Sequence, residues 1–202
     1  HYTLLKVLCV VTIINMYYHW WYFCISSFFW LFVITTFKKR IVCDIHAIPC
    51  VILSILSIYD IVPDQITWAW SLGYFVVDGV DVFDRGETIM TVHHGITTLL
   101  CIGSIMEPQM TFGTHTTPYF LLVEISGIAL SYWEYNRQSL IRYMMLIISY
   151  FFNRVVWVAY LMYFSFISRP DTTLGYAVVL LARLMHILMC VWYTTLLKKV
   201  NN

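Results

Sequence analysis

Charge is scarce in this chain. Only 11% of its 202 residues are Asp, Glu, Lys or Arg, and 60% are hydrophobic. A soluble domain carries about 25% charged residues. The shortfall excludes an ordinary water-solvated fold and points to a chain solvated mostly by lipid. There is no basic run and the net charge is +1, so no nucleic-acid partner is expected. The six cysteines (Cys9, Cys24, Cys43, Cys50, Cys101 and Cys190) form no CxxC pair. They read as buried apolar thiols rather than a disulfide framework. HExxH and equivalent ligand spacings are missing, and no metal site is expected. There is no linker, low-complexity tail or repeat. The first residue is His1, not Met, as in a processed chain or one whose start lies upstream. The first apolar stretch is too long for a signal-peptide core, so no separate signal peptide is expected.

What is present is apolar sequence in long runs. A membrane span needs about 20 apolar residues. Seven such runs are expected, roughly at 9–36, 41–59, 66–83, 89–106, 118–135, 140–165 and 174–197. The first is overlong and is expected to bend at an interface near Trp20-Trp21. The connections are short and carry breakers: Lys38-Lys39-Arg40, Pro63-Asp64, Arg85-Gly86, Glu107-Pro108 and Arg169-Pro170-Asp171. An aromatic content of 18% suits interfacial belts and tight helix packing. The expected fold is all-α: a single multi-pass transmembrane helical bundle over residues 1–202.

Loop charges test that count. With seven spans, one side holds Lys38, Lys39, Arg40, Arg85, Arg137, Arg142, Lys198 and Lys199. The other holds Lys6 and Arg169. The asymmetry fits the positive-inside rule with the C-terminus on the cytosolic or equivalent side. A six-span arrangement would scatter these charges.

Against this background the polar residues inside the spans stand out, since ionisable groups in hydrocarbon are costly. His93 and His94 lie side by side near the start of span four. His46 lies near the start of span two, and Asp78 and Asp81 near the end of span three. All are expected within ~3–10 Å of depth at the positive side, at 1.5 Å rise per residue. Such a cluster is suited to acid–base or nucleophilic work. Adjacent helix residues point ~100° apart, so one histidine is expected to face the site while a neighbour holds the other. His93 can reach Thr97 and His94 can reach Thr98, both at i+4. A plainer reading makes both histidines interfacial groups that bond headgroups. Asp78 and Asp81 can likewise simply pair with Arg85.

A deeper set comprises Glu124, Arg154, Arg183 and His186. Mutual pairing of Glu124 with Arg154 or Arg183 would satisfy it. An anion-binding cavity for a lipid phosphate is the sharper alternative. A bis-histidine haem would need His46 to face His93 or His94. A seven-span receptor is disfavoured. The loops are very short, span seven lacks a mid-membrane lysine, no DRY follows span three, and no NPxxY closes span seven.

Taken in order, these elements resemble a known family. They are Arg40 with Asp44-Ile-His46-Ala47, then Ser71-Leu-Gly73-Tyr74-Phe75-Val-Val-Asp78, then His93-His94-Gly-Ile-Thr97-Thr-Leu99. Glu124-Ile-Ser126, Asn136-Arg137, Phe151-Phe-Asn-Arg154-Val-Val-Trp157 and His186 with Trp192 follow. Over about residues 40–192 the chain resembles TLC-domain proteins (the TRAM, LAG1 and CLN8 group). The resemblance implies a multi-pass protein, mostly of the endoplasmic reticulum, concerned with lipid metabolism, membrane composition or lipid sensing. The ceramide synthases of that family transfer an acyl group from acyl-CoA, using a histidine pair and two aspartates on the following span. Here that span offers Glu124-Ile-Ser126 and no Asp pair, so the chain is more similar to the CLN8 and TLCD branch.

Two functions are therefore expected to compete. In the first, the protein handles membrane lipids, with His93, His94 and Asp78 as catalytic residues for acyl transfer. His46, Glu124, Arg154 and His186 would bind lipid, acyl-CoA would be a substrate, and no cofactor would be needed. In the second, the chain is a non-catalytic subunit of a larger membrane complex and uses the fold for packing and lipid holding. The endoplasmic reticulum is the expected location, with the mitochondrial inner membrane as the alternative.

Overall fold

A computed structural model describes residues 20–106, 116–167 and 172–198. Among these the chain is helical throughout, without strands. Helix α1 runs Trp20–Thr36, α2 Lys39–Ile58, α3 Asp64–Asp84 and α4 Thr88–Met106. Helix α5 (Thr116–Leu121) tightens into a single 3₁₀ turn at Leu122–Glu124 and continues as α6 (Ile125–Glu134). Helix α7 (Leu140–Tyr150) widens into a π-turn at Phe151–Val156 and continues as α8 (Trp157–Ile167). Helix α9 is Thr173–Lys198. Residues 9–19 of the first apolar run, with Lys6, Lys199 and the connections at Glu107-Pro108 and Arg169-Pro170-Asp171, lie outside the described residues.

The breakers end helices by identifiable means. Gly86 adopts φ 72°. Its N–H bonds Phe83 O at 2.9 Å, and Glu87 N–H bonds Val82 O at 3.0 Å. That is a glycine-closed cap on α3. Asp60, at φ 57°, closes α2 in the same way, with Asp60 N–H on Ser57 O and Ile61 N–H on Leu56 O. Ser139 caps α7 by accepting from Arg142 N–H at 3.4 Å.

Three helical stretches are long and apolar enough to cross a membrane: Lys39–Ile58, Leu140–Phe164 and Thr173–Lys198. Their 20, 25 and 26 residues correspond to lengths of ~30–39 Å at the α-helical rise. The remaining expected spans are helices, but they differ from those three. Over the described residues α1 and α4 have shorter apolar stretches. Helix α3 carries Asp64, Asp78, Asp81 and Asp84.

Helix α3 packs on α4, α4 on α9, and α2 on both α3 and α6. Basic connections meet at one end of this bundle. Lys39 pairs with Glu87 at 3.4 Å, and Arg40 lies over the Tyr135 ring at 3.3 Å from its centroid. Tyr135 Oη reaches Asp44 at 3.3 Å, and Tyr143 donates to Leu196 O near the end of α9.

Close helix approach depends on small residues. Trp30 Nε1 donates to Trp70 O at 2.9 Å, tying α1 to α3. At the same contact a Cβ on Gly73 would meet the Ser26 side chain, with its Cβ at 2.8 Å and its backbone carbon at 3.0 Å. Gly73→Ala is therefore expected to push α1 off α3 and lose about 1–3 kcal/mol. Gly95→Ala, where a Cβ meets nothing within 4 Å, is its control and gains up to about 1 kcal/mol from helix propensity. Thermal unfolding in detergent compares the two. Equal midpoints for both variants would show that α1 does not sit on α3 in this way.

Candidate functional site

The candidate site lies where α3, α4 and α9 meet. Asp78 on α3 and His93 and His94 on α4 are 2%, 7% and 2% exposed. Helix geometry sends the two histidines in different directions. His94 turns toward α3, where its Nε2 lies 2.9 Å from Asp78 Oδ2. That is ion-pair distance, but the N–H is off the hydrogen-bond axis, and His94 Nδ1 has no hydrogen-bond partner. Gly79, next to Asp78, permits the approach: a Cβ there would come within 3.3 Å of His94 Cβ. Tyr74, one turn before Asp78, donates its hydroxyl to the same Oδ2 at 3.2 Å.

His93 turns the other way, toward α9. Its Nδ1 lies 3.3 Å from Met185 Sδ, and its ring is 5.1 Å from that of Trp192. It lines two cavities. The deeper one, about 70 Å³, is walled mainly by apolar side chains, among them Leu100, Phe120, Val158, Met162, Val179 and Met189. The second, about 300 Å³, lies toward Met90, Leu130, Trp192 and Leu196. Arg154 also lines both, while Glu124 lines the deeper one. A single stripe of α9 (Val178, Ala182, Met185, Met189, Trp192 and Leu196) supplies walls to both cavities. The i, i+3, i+4, i+7 spacing of that stripe keeps it on one helix face.

Glu124 and Arg154 meet at the two irregular turns. Glu124 closes the 3₁₀ segment and Arg154 sits within the π-turn. Arg154 Nε donates to Ser126 Oγ at 2.6 Å, and Ser126 Oγ donates to Val123 O at 2.7 Å. The ion pair itself is loose, a single Arg154 Nη2 to Glu124 Oε1 contact of 3.5 Å. Isolated π-turns recur at functional sites because they re-aim a side chain inside a continuous helix. Here the widened turn delivers a guanidinium to the cavity walls.

The remaining sequence candidates fall elsewhere. His46, 2% exposed, stacks on Tyr74 with ring centroids 3.8 Å apart and contacts Trp30 and Phe75. It belongs to the same cluster but to neither cavity wall. Tyr74 and Phe75 each contact both His46 and His94, filling the space where a haem between those histidines would sit. His186 was expected in the deep pocket but is not in its wall. Its Nε2 donates to Val155 O at 3.1 Å and satisfies a carbonyl of the π-turn. Asp81 is half-buried on α3 and pairs with Arg85 at 2.9 Å, so the two aspartates divide their partners. Arg183 is exposed on α9 and does not take the Glu124 role. Thr97 donates to the His93 carbonyl at 2.8 Å rather than to its ring.

Two members of the site were missed as site residues in sequence. Tyr74 is one helical turn from Asp78, a spacing that would have found it. Met185 carries no sequence signal, being an apolar residue on an apolar helix. No family model matches this chain, and neither does any curated protein or solved structure.

Proposed function

We infer that this is an integral membrane lipid-handling protein of TLC type, with seven spans and its basic end on the cytosolic or equivalent side. The observation that carries this reading is the division of labour within the histidine pair. His94 is engaged by Asp78, and His93 opens on cavities whose walls are mainly apolar. A reactive imidazole beside an apolar cavity at membrane depth suits acyl-chain chemistry. His93 would serve as base or acyl acceptor toward an acyl-CoA, and Asp78 would fix the His94 ring behind it, as a carboxylate orients an imidazole in other catalytic pairs. The endoplasmic reticulum is the location that goes with this reading.

A second reading is favoured by a specific observation. Helix α1 exposes Trp20, Trp21, Tyr22, Phe28, Phe29 and Phe32. Aromatic residues are enriched at protein interfaces, and such a face suits a subunit docked into a larger membrane complex. One experiment separates the two: gentle extraction in a mild detergent followed by native mass spectrometry. A small particle carrying stoichiometric lipid is the expected result. His93→Ala is expected to reduce that lipid occupancy severalfold while particle size stays the same. Recovery only within a large multi-protein assembly, with no lipid bound to this chain, would favour the subunit.

A further inference from the structure

The Glu124–Arg154 couple is poorly satisfied for its surroundings. Both residues are 8% exposed. The only contact between them is the one at 3.5 Å. Arg154 Nη1 and Glu124 Oε2 make no hydrogen bond to any described residue. A charged pair in the bundle interior is tolerated when its remaining donors and acceptors are met. Here both residues belong to the wall of the deeper cavity. Gly127 keeps room for the second Glu124 oxygen, since a Cβ there would lie 2.9 Å from it. The wall of the deeper cavity thus contains one residue with a spare donor and one with a spare acceptor, with no net charge between them.

We propose that this couple is the head-group site for a single-chain carboxylic acid bound in its neutral form. The acid's carbonyl oxygen accepts from Arg154, and its O–H donates to Glu124. Its tail lies in the deeper cavity, against Leu100, Phe120, Val158 and Val179. The inference rests on the lipid-handling reading and names the ligand that reading leaves open. The neutral balance of the couple is what selects the head. An ionised carboxylate or phosphate would place a net negative charge beside Glu124 in a water-poor interior, which like-charge repulsion and desolvation both oppose. An ester lacks the donor that Glu124 requires, and an unmatched polar group at such a site is strongly penalised. The tail is short or the wall must yield. At about 70 Å³ the cavity is well below the ~150 Å³ that holds a benzene. Met162, Met185 and Met189 are side chains able to move aside for a longer chain.

The test uses the full chain in phosphatidylcholine nanodiscs with carboxyl-¹³C octanoic acid, read by NMR. A saturable bound signal is expected at the shift of the un-ionised acid, in buffer where the free ligand is ionised. Methyl octanoate and octyl phosphate should compete at least tenfold less well. Glu124→Gln makes the site cationic. In that variant the bound signal should move to the carboxylate position, and octyl phosphate should become the better competitor. The charge-free double variant Arg154→Gln/Glu124→Gln, which strands neither charge, should lose at least tenfold in octanoic acid affinity. The proposal is overturned if wild type gives no bound signal, if it binds octyl phosphate as tightly as the acid, or if the double variant binds the acid unchanged. Lipid retained by wild type in native mass spectrometry alongside any of these outcomes would overturn this head-group site alone. Loss of both would remove the lipid-handling reading with it.

Discussion

Replacing two adjacent histidines by alanine should give opposite phenotypes. On the proposed lipid-handling function, His93→Ala is expected to remove lipid turnover with the fold retained, and His94→Ala to weaken the fold itself. The reason is what each ring touches. His93 contributes one soft contact to Met185 and a ring contact to Trp192, and it already borders two cavities. Its removal enlarges an existing cavity and should cost about 1–2 kcal/mol, toward the low end for buried truncations. If its imidazole moves a proton in acyl transfer, its loss should lower the rate by about 10²–10⁴-fold, the usual range for a general acid or base. His94 has no such access. It is 2% exposed and sits on Asp78, also 2% exposed, at 2.9 Å. Without it Asp78 keeps, among the described residues, only the Tyr74 hydroxyl as a hydrogen-bond partner. Stranding one member of a buried pair costs about 3–5 kcal/mol. Thermal unfolding of both variants, with acyl-transfer assays on whichever remains folded, reads out the split. If His93→Ala proved the unstable one, or stayed active while His94→Ala was folded and dead, the assignment of roles would have to be exchanged.

How much of this was legible in the sequence follows from which physical signal carries each part. Apolar run length and punctuation are local signals, and they located α2, α3, α4 and α9 to within a few residues. Polarity inside an apolar run is equally local, so His46, Asp78, Asp81, His93 and His94 could be named as one cluster from their common depth, of which Asp81 turns away to pair with Arg85. Direction is not local. A spacing of one residue says that the two histidines diverge, but only the packing of α3 and α9 around α4 decides that His94 takes Asp78 and His93 takes the cavities. The 3₁₀ turn at Leu122–Glu124 and the π-turn at Phe151–Val156 were invisible, because each is a small deviation inside a continuously helical pattern. The pairing of Glu124 with Arg154 was one of two named from polarity alone, but that each partner sits in an irregular turn was not. His186 shows the converse. It was grouped with the pocket because it is polar and deep, whereas it satisfies Val155 O where the π-turn departs from regular α-helical bonding.

Arg154→Gln alone is expected to be the most destabilising single change in the deeper half of the bundle. Arg154→Gln/Glu124→Gln should recover much of the loss. In the wild type Arg154 holds Ser126 and Glu124 at once. The single variant leaves a buried carboxylate whose one charged partner among the described residues has gone, a change that typically costs about 3–5 kcal/mol. The double variant leaves two neutral amides, each able to donate and accept. The looseness of the pair, at 3.5 Å, sharpens the expectation. A poorly aligned buried pair repays little of the desolvation of its two charges, so removing both together should be nearly neutral. Chemical or thermal unfolding of the two single variants and the double forms the cycle. Because the residues touch, their effects should be far from additive: a single-variant loss of about 3–5 kcal/mol with a nearly neutral double variant means a coupling of at least about 3 kcal/mol, at or above the top of the usual range for contacting residues. Additive losses across the cycle would mean that Glu124 and Arg154 are each satisfied by something other than the partner, and the charge balance on which the neutral head-group site depends would fail with it.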